Sequence, residues 1–528
     1  MDVPEGFYWL PRGTDVASKI LATAADDSYI VYYDPDVDGL MAGREVCAVL
    51  DAYNKKYSVY INANREHGFF YGDNDKDLEQ LRGKTIIAVD FSIADETWAK
   101  IQQHGIRIIN IDHHEIAHKE LVTFSYDGKT PDGVIINNQY CFEPEHQRYL
   151  SGAGVVYYVF SAMFPAFDTQ LMRGLVGITL ISDIRPLEND YAHVFLHECF
   201  TCRDDFMMYL VKLVKPERDY GFGVQLMERS YLEYRFNPRF NALFRLNRGY
   251  DAIGLLFGKP LGYSLDAAKA EQDDAMHSMI NRMQNLFAVT PVLNGVLHDR
   301  VKLMSSFVDM GEAGVQQVVT PTLNNLKIGY VEHYELSDAY KTTNFIGLVC
   351  SRVREDGKSA IVFMGDDPMH VTRGSFRGNS DYVDYLQIFK RHGFVCDGHA
   401  GAFGIRNCDL TKIDFVQLSQ DIADAEAEAA AIDISQYVID VDNMGIAATS
   451  KSIKDVAIHN NYVRTYKRVY LRYTGSNVYK RSRSKAIEFL IDGVSVVCFD
   501  ESFTVDNALI MPVYERKTLK FYLRQRKG

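Results

Sequence analysis

Three short apolar runs in the first 115 residues each end in carboxylates: IVYYDPDVDGL closes on Asp34, Asp36 and Asp38, IIAVDFS on Asp90, and IRIINIDHHE on Asp112, followed by His113 and His114. Runs this short and this rich in Ile, Val and Tyr read as buried parallel strands, and open α/β sheets carry their sites at the carboxyl ends of such strands. The acids are therefore expected to meet in space. Carboxylates crowded within a few ångströms cannot all stay ionised without a counter-charge, and divalent cations are the usual remedy. Three strands ending the same way make a metal site the leading reading and a solvated acidic turn a poor one.

A chain of 528 residues exceeds what one core organises, and its 47% apolar content supplies material for two to four domains. No apolar stretch of 18 residues occurs, and the start, MDVPEGFYWLPRG, lacks the basic-then-apolar layout of a signal peptide. The eight scattered cysteines suit free thiols. A cytoplasmic protein with no membrane partner is the expectation. The net charge of −13 is unevenly spread: from Lys451 onward 16 lysines and arginines face 7 acids, which leaves −22 on the first 450 residues. A basic module on an acidic body can bind phosphates locally, because its field reaches only about 8 to 10 Å at physiological salt.

Residues 15 to 190 alternate strand-like and helical runs (VASKILATAA, IVYY, LMAGREVCAVLDAY, YSVYI, IIAVDF, IRIIN), the grammar of a doubly wound parallel sheet. From Ser264 to Leu286 the spacing predicts one long helix bridging two domains. A second α/β region follows, with strands at LKIGYVE and SAIVFMG and the glycine-punctuated DGHAGAFGI, then an alanine-rich acidic helix at DIADAEAEAAAIDI. Residues 435 to 528 read as short strands forming a small all-β barrel or sandwich. There Tyr462, Arg464, Tyr466, Lys467, Arg468, Tyr470, Arg472, Tyr473, Tyr479, Lys480, Arg481, Arg483 and Lys485 interleave rings and cations. Such a surface can stack bases and follow a phosphate backbone; a tyrosine core face beside a solvated basic face gives the same alternation.

Several motifs have competing readings. Asp34 to Glu45 fits the calcium-loop pattern D-x-D-x-D-G-x5-E, but a β-type run precedes it and Pro35 lies inside it, so an EF-hand is rejected. In an extended segment Asp112 and His114 share one face and His113 points to the other. One imidazole can then bind metal while the other approaches a phosphate, and imidazole with carboxylates favours manganese or a similar ion over calcium. SGAGVV is too short for a dinucleotide site and is expected to open a helix near the phosphates. His193, His197, Cys199 and Cys202 could close a zinc site, but without a second CxxC they read as buried thiols and histidines.

The motifs DPDVDG, VDFS, DHHE, LSGAGVVYYVF and GITLISDIRPLEND, in this order, resemble the DHH superfamily of phosphoesterases, and more narrowly its RecJ-like branch of single-strand-specific exonucleases. NREHGFFYG at 64 to 72, PRFNALFRL at 238 to 246, RGSFRG at 373 to 378 and GHAGAFG at 398 to 404 extend the resemblance over residues 15 to 430. It implies an α/β architecture: a doubly wound parallel-sheet DHH catalytic domain (1–262), a connecting helix (263–290), a smaller α/β DHHA1 domain (291–432) and a basic β-rich OB-like nucleic-acid-binding domain (433–528). It also implies a metal shell of Asp34, Asp36, Asp38, Asp90, His113 and Asp183. Asp112 would act as a structural partner to the shell and His114 as a contact to the scissile phosphate, the two forming the catalytic pair. Substrate contacts would come from Arg65, Arg239, Asn241 and Arg245 along the strand, and from Arg373, Ser375, Arg377 and His399 near the chain-end phosphate. Three departures stand out: Tyr32 and Tyr33 precede the first acids where small relatives carry histidine, Arg185 replaces an apolar residue, and Asp397 precedes Gly398 and His399 in place of a second glycine.

The activity so implied is two-metal 5′ to 3′ hydrolysis of single-stranded DNA to 5′-mononucleotides in repair, recombination or replication. Mn²⁺ would be preferred and Mg²⁺ accepted. The expected partners are single-stranded DNA and a single-strand-binding protein or helicase, with the chain itself a monomer. The alternatives are a DHH phosphodiesterase for very short RNAs, cyclic dinucleotides or phosphoadenosine phosphate, and an inactive DNA-binding scaffold. The long helix and basic tail argue against the first, and the full set of acids against the second.

Overall fold

The computed structural model describes residues 7–25, 29–62, 69, 75–114, 120–143, 149–185, 187, 190–214, 229–261, 263–290, 304–307, 319–323, 326–337, 340–354, 358–380, 383–430, 438–441, 470–473, 478–483, 486–491, 494–498, 509–515 and 518–524. The chain divides into two compact units: Met1–Phe244, Arg248–Asp266 and Ile434–Gly528 in the first, Arg245–Asn247 and Ala267–Asp433 in the second.

In the first unit a six-stranded sheet runs through β1 (Tyr29–Tyr33), β2 (Tyr57–Ile61), β3 (Thr85–Val89), β4 (Arg107–Asp112), β5 (Val122–Phe124) and β6 (Gly133–Asn137) in the order β2-β1-β3-β4-β6-β5. All neighbours are parallel except β5, which pairs antiparallel with β6 at the edge. The order reverses between β1 and β3. That reversal is the switch point of a doubly wound sheet, where the loops leaving two adjacent strands part to opposite faces. Tyr33 lies opposite Val89, so Asp34 and Asp90, the next residues of each chain segment, flank that crevice.

Both faces of the central strands are apolar because both are covered. Val31, Tyr33, Ile87, Val89, Ile109 and Ile111 enter one core with α1 (Thr14–Thr23), α2 (Val37–Ala52) and the helices Gly152–Met163 and Gln170–Ser182. The alternate residues Tyr32, Ile86, Ala88 and Ile108 enter the other with Phe91 and Ile101. This two-sided burial fixes the register, since a one-residue slip would exchange the two cores.

A helical stretch from Arg229 to Arg245 contains a π-turn at Leu232–Phe236. Pro238 explains it, having no N–H to give the carbonyl four residues back. The ladder widens, with Asn237 N–H reaching the Leu232 carbonyl, and the Arg239 guanidinium donates to the Arg235 carbonyl at 3.0 Å.

The second unit is built on a mixed sheet. Its strands run in the order Cys396–His399, Ala402–Asp409, His370–Arg377, Ser359–Gly365, Leu326–Glu332, Val319–Leu323, Met304–Phe307. The predicted strands LKIGYVE and SAIVFMG are its parallel pair, and the alanine-rich segment is the helix Phe415–Ala430. The predicted helix from Ser264 to Leu286 ends earlier, at Arg282. There the chain turns into Gln284–Asn285, which pairs with Leu326–Glu332; strand pairing overrides helical spacing, and Gly329 opposite Asn285 leaves room for the Met283 sulfur.

Seven strands near the C-terminus form one sheet, from Val438–Val441 to Thr518–Arg524, in an order that mixes parallel and antiparallel pairs. The segment is β-rich, but seven strands in this order are not by themselves the five-stranded barrel of an OB fold. Of the interleaved basic and aromatic residues, Tyr462, Arg464, Tyr466, Lys467, Arg468 and Lys485 lie outside the described residues. Among the described residues no helix is long and apolar enough to cross a membrane.

Ile109, fully buried in the middle of β4, tests the two-sided core. Ile109→Ala is expected to cost about 2–5 kcal/mol, read as a lower melting temperature; an unchanged melt would contradict central burial.

Candidate metal centre

The DPDVDG turn places its acids by backbone geometry. Asp34 follows β1 and is buried; Asp36 caps α2 by accepting the Gly39 N–H at 3.0 Å; Asp38 sits in the first helical turn. Gly39 is required, since a Cβ there would stand 2.3 Å from the Asp34 carbonyl oxygen. Asp90 leaves β3 with φ of 67°, a left-handed conformation that costs a non-glycine residue about 1–3 kcal/mol and recurs at functional sites. Its N–H is held by the Ile111 carbonyl of β4 at 2.9 Å.

The helix Gly152–Met163, capped by Ser151, opens at this cluster. Its amides of Gly152 and Ala153 donate to Asp38 at 2.7 and 2.9 Å, so one carboxylate takes two of the helix's unsatisfied donors. A Cβ on Gly152 would lie 2.2 Å from Asp90 Oδ1, so the glycine lets the helix approach. Asp183 caps the carboxyl end of Gln170–Ser182, where the helix dipole disfavours an anion unless a cation is near. Arg185 supplies one such charge at 3.7 Å, which places the unusual arginine within the acid cluster.

His113 joins the acids. Its Nε2 is 3.2 Å from Asp90 and 3.7 Å from Asp38, and its Nδ1 is 3.7 Å from Asp183. Burial pushes its pKa down to about 3, so the ring is neutral and only one nitrogen carries hydrogen. The other lone pair faces a carboxylate, an arrangement that a cation between them resolves. Burial, then Asp38, Asp36, Asp34 and Asp112, raise Asp90 well above the carboxylate range, and its Oδ1 accepts no hydrogen bond among the described residues. Burial, Asp183 and Asp36 push Asp38 up to about 8 against the two amides that lower it. Three overlapping trios have ligand atoms within 4.8 Å of one another: Asp34–Asp36–Asp90, Asp38–His113–Asp183 and Asp90–His113–His114. Oxygen-rich sets with one or two imidazoles fit a divalent transition ion. The set His193, His197, Cys199 and Cys202 is not among the clusters found in the described residues, and both thiols are buried.

Asp112 behaves differently. Its Oδ1 accepts from the His114 backbone N–H at 3.2 Å and pairs with His114 Nδ1 at 2.7 Å, while Oδ2 accepts from Ser92 Oγ at 2.8 Å and Asn137 Nδ2 at 3.5 Å. Four donors occupy about all the lone-pair positions a carboxylate has, which sets Asp112 apart from the acids facing the cluster. Burial would raise it, but His114, His113 and Ser92 outweigh burial and hold it well below the usual range. Desolvation lowers His114, yet Asp112 more than compensates and pushes it up to about 10. The His114 side chain is half-exposed.

The predicted substrate residues are distributed over both units. Arg65 lies outside the described residues. Arg239 binds Asp266 at 2.6 Å as well as the Arg235 carbonyl, and Asn241 is half-buried two residues along the same helix. Arg245 donates to Gln272 at 2.9 Å. In the second unit Arg373, Ser375 and Arg377 alternate along one strand and share a face. Arg377 donates to Ser375 Oγ at 2.8 Å, the Phe376 carbonyl at 2.7 Å and Ser351 Oγ at 3.2 Å. Asp397 is exposed and ion-paired with Arg406 at 3.6 Å, so the acid that replaces the second glycine has its own counter-charge. His399 ends the strand Cys396–His399 opposite Ala402; its side chain lies outside the described residues.

Sequence reading missed Ser92, Asn137 and Glu45 as members of this neighbourhood. The first two had a signal, since each ends an apolar strand run. Glu45 appeared only as the twelfth residue of a rejected calcium loop, yet it is fully buried in α2, and neither carboxyl oxygen has a hydrogen-bond partner among the described residues. Burial, then Asp38, raise its pKa far above normal, so it folds protonated.

Gly152→Ala should weaken Mn²⁺ binding at least about 10-fold, the scale on which metal sites respond to displaced supports; titration calorimetry showing unchanged affinity would refute the close approach. Glu45 has a folded pKa above its unfolded value of about 4.3, so its contribution is complete below that pH and is lost as pH rises towards the folded value. Glu45→Gln should therefore gain stability over the parent as pH climbs from 4 to 8; parallel melting curves across that range would show Glu45 to be ionised.

Comparison with known proteins agrees with this arrangement. The model of the DHH family, N-terminal domain, matches residues 29–181, which contain every strand-end acid described above. The structure of RecJ in complex with Mn²⁺ from Thermus thermophilus superposes with a TM-score of 0.64 at 15% identity, covering 99% of this chain and 73% of that one. RecJ with Mg²⁺ from the same organism gives 0.59 at 14% identity, covering 100% and 72%. Another exonuclease RecJ bound to manganese gives 0.50 at 16% identity, covering 81% and 97%. Comparison with curated proteins gives no match. At these identities the likeness is one of fold: residues 29–181 match the DHH family's N-terminal domain, and the chain has a RecJ-like fold.

Proposed function

We propose that the chain is a divalent-metal-dependent exonuclease that removes nucleotides from the 5′ end of single-stranded DNA and releases 5′-mononucleotides. The observation that carries this reading is the convergence of Asp34, Asp36, Asp90 and His113 from three adjacent strand ends at the switch point, with buried oxygens and a neutral imidazole facing one another. The RecJ-like fold along 99% of the chain supports the substrate class.

Two ions, with Mn²⁺ preferred over Mg²⁺, suit the acid count, Asp34, Asp36 and Asp90 holding one and Asp38, His113 and Asp183 the other. Bound there, they would supply Lewis acidity and lower the pKa of a coordinated water. The chain's own residues do the rest. Asp112 holds His114 by Nδ1, which leaves Nε2 of a half-exposed, cationic ring to donate to a phosphate oxygen. Arg185, 14% exposed beside Asp183, adds a second positive group for a dianionic phosphate. In the second unit the face with Arg373, Ser375 and Arg377 is suited to the phosphate at the chain end. The C-terminal strands would hold the distal strand, and the cell would use the activity in DNA repair, recombination or replication, with a single-strand-binding protein or helicase as companion.

The test is incubation with Mn²⁺ and single-stranded oligonucleotides labelled at either end, beside a dinucleotide RNA and Asp90→Ala. Immediate release of 5′-labelled mononucleotide, gradual shortening of the 3′-labelled strand and silence of the variant are expected. Cleavage of the dinucleotide alone, or binding without hydrolysis, would overturn the reading.

A further inference from the structure

The carboxyl ends of three adjacent strands meet on one carboxylate that belongs to none of the metal-ligand trios found among the described residues. Asp112 ends β4, Ser92 lies two residues beyond Asp90 at the end of β3, and Asn137 ends β6 directly opposite Asp112 in the register. Ser92 Oγ donates to Asp112 Oδ2 at 2.8 Å. Asn137 is fully buried and its amide has one possible orientation. Its oxygen accepts the Gln139 N–H at 2.9 Å, so its nitrogen must donate, to the His114 carbonyl at 3.0 Å and to Asp112 at 3.5 Å. Asn137 thus grips His114 twice, through its backbone and through the carboxylate that binds its ring.

We infer that Ser92 and Asn137 are positioning residues that lock the Asp112 carboxylate, and through it the His114 imidazole, so that Nε2 is presented to the scissile phosphate. The inference deepens the phosphodiesterase reading and names residues neither in the acid cluster nor among the predicted substrate contacts. A carboxylate with a single partner can rotate; one gripped on both oxygens cannot. The ring it holds therefore keeps one direction without help from substrate. The β3 end then has two duties, Asp90 serving the acid cluster and Ser92 the imidazole.

The test compares Ser92→Ala and Asn137→Ala with the full-length parent. Ser92→Ala is expected to lower kcat about 10-fold to 100-fold, the range typical of supports behind functional groups, with KM and Mn²⁺ affinity within about twofold. Ser92→Thr, which keeps the hydroxyl, should restore most of the rate. In a His114→Ala background Ser92→Ala should add no further loss, because it acts only through that ring. An unchanged kcat, a matching fall in Mn²⁺ affinity, or an equal loss in the His114→Ala background would overturn the assignment. A second readout is independent of turnover: in ¹⁵N-histidine spectra the His114 Nδ1–H resonance, assigned by its absence from His114→Ala, should be visible in the parent and exchange-broadened in Ser92→Ala and Asn137→Ala. If the parent hydrolyses nothing, the enzyme reading falls and the positioning claim is decided by this spectrum, an unaltered resonance refuting it.

Discussion

Repulsion among buried carboxylates is the constraint on which the first unit turns. Asp34, Asp38 and Asp90 are each at most 3% exposed, and two like charges 4 Å apart repel by about 4 kcal/mol even at an effective dielectric constant of about 20. The fold relieves part of this strain with its own groups. Helix amides take Asp38, Arg185 stands by Asp183, His113 stays neutral, and Glu45 keeps its proton beneath. What is left unbalanced lies between β1 and β3, where a doubly wound sheet offers a crevice, so topology and electrostatic demand select the same place.

The two adjacent histidines show how a backbone can split one residue type into two chemistries. Their rings are 4.6 Å apart, yet the His113 side chain is buried and that of His114 half-exposed. His113 meets several acids and no solvent, and burial makes it a neutral donor of lone pairs. His114 pairs with Asp112, a carboxylate held by other donors as well, and is kept as a cation. The difference arises from β3 and β6, whose ends supply Ser92 and Asn137 to Asp112.

Much of this was legible in the sequence because strand periodicity and strand-end acids are local signals. β1, β3, β4 and the switch-point cluster all follow from strand patterning and strand-end acids. Other features depend on contacts that no local pattern encodes. The helix after Ser264 stops at Arg282 because an edge strand recruits Gln284 and Asn285. Arg239 has the look of a free phosphate ligand, but its guanidinium is engaged by the Arg235 carbonyl one turn back and by Asp266. Glu45 is burial without a motif. Asp397, in place of a second glycine, gains a counter-charge from Arg406, nine residues later and brought beside it only by strand pairing.

The contact between Gly152 and Asp90 has an evolutionary side. A helix start that admits no Cβ and a carboxylate that fills the space are two halves of one steric bargain, although 62 positions separate them in the sequence. A lineage that lost the acid at 90 would be released from glycine at 152, and one that first enlarged 152 would have to surrender the acid. The two positions should therefore drift as a pair, leaving in the descendants of this fold a record of which lines kept the acid.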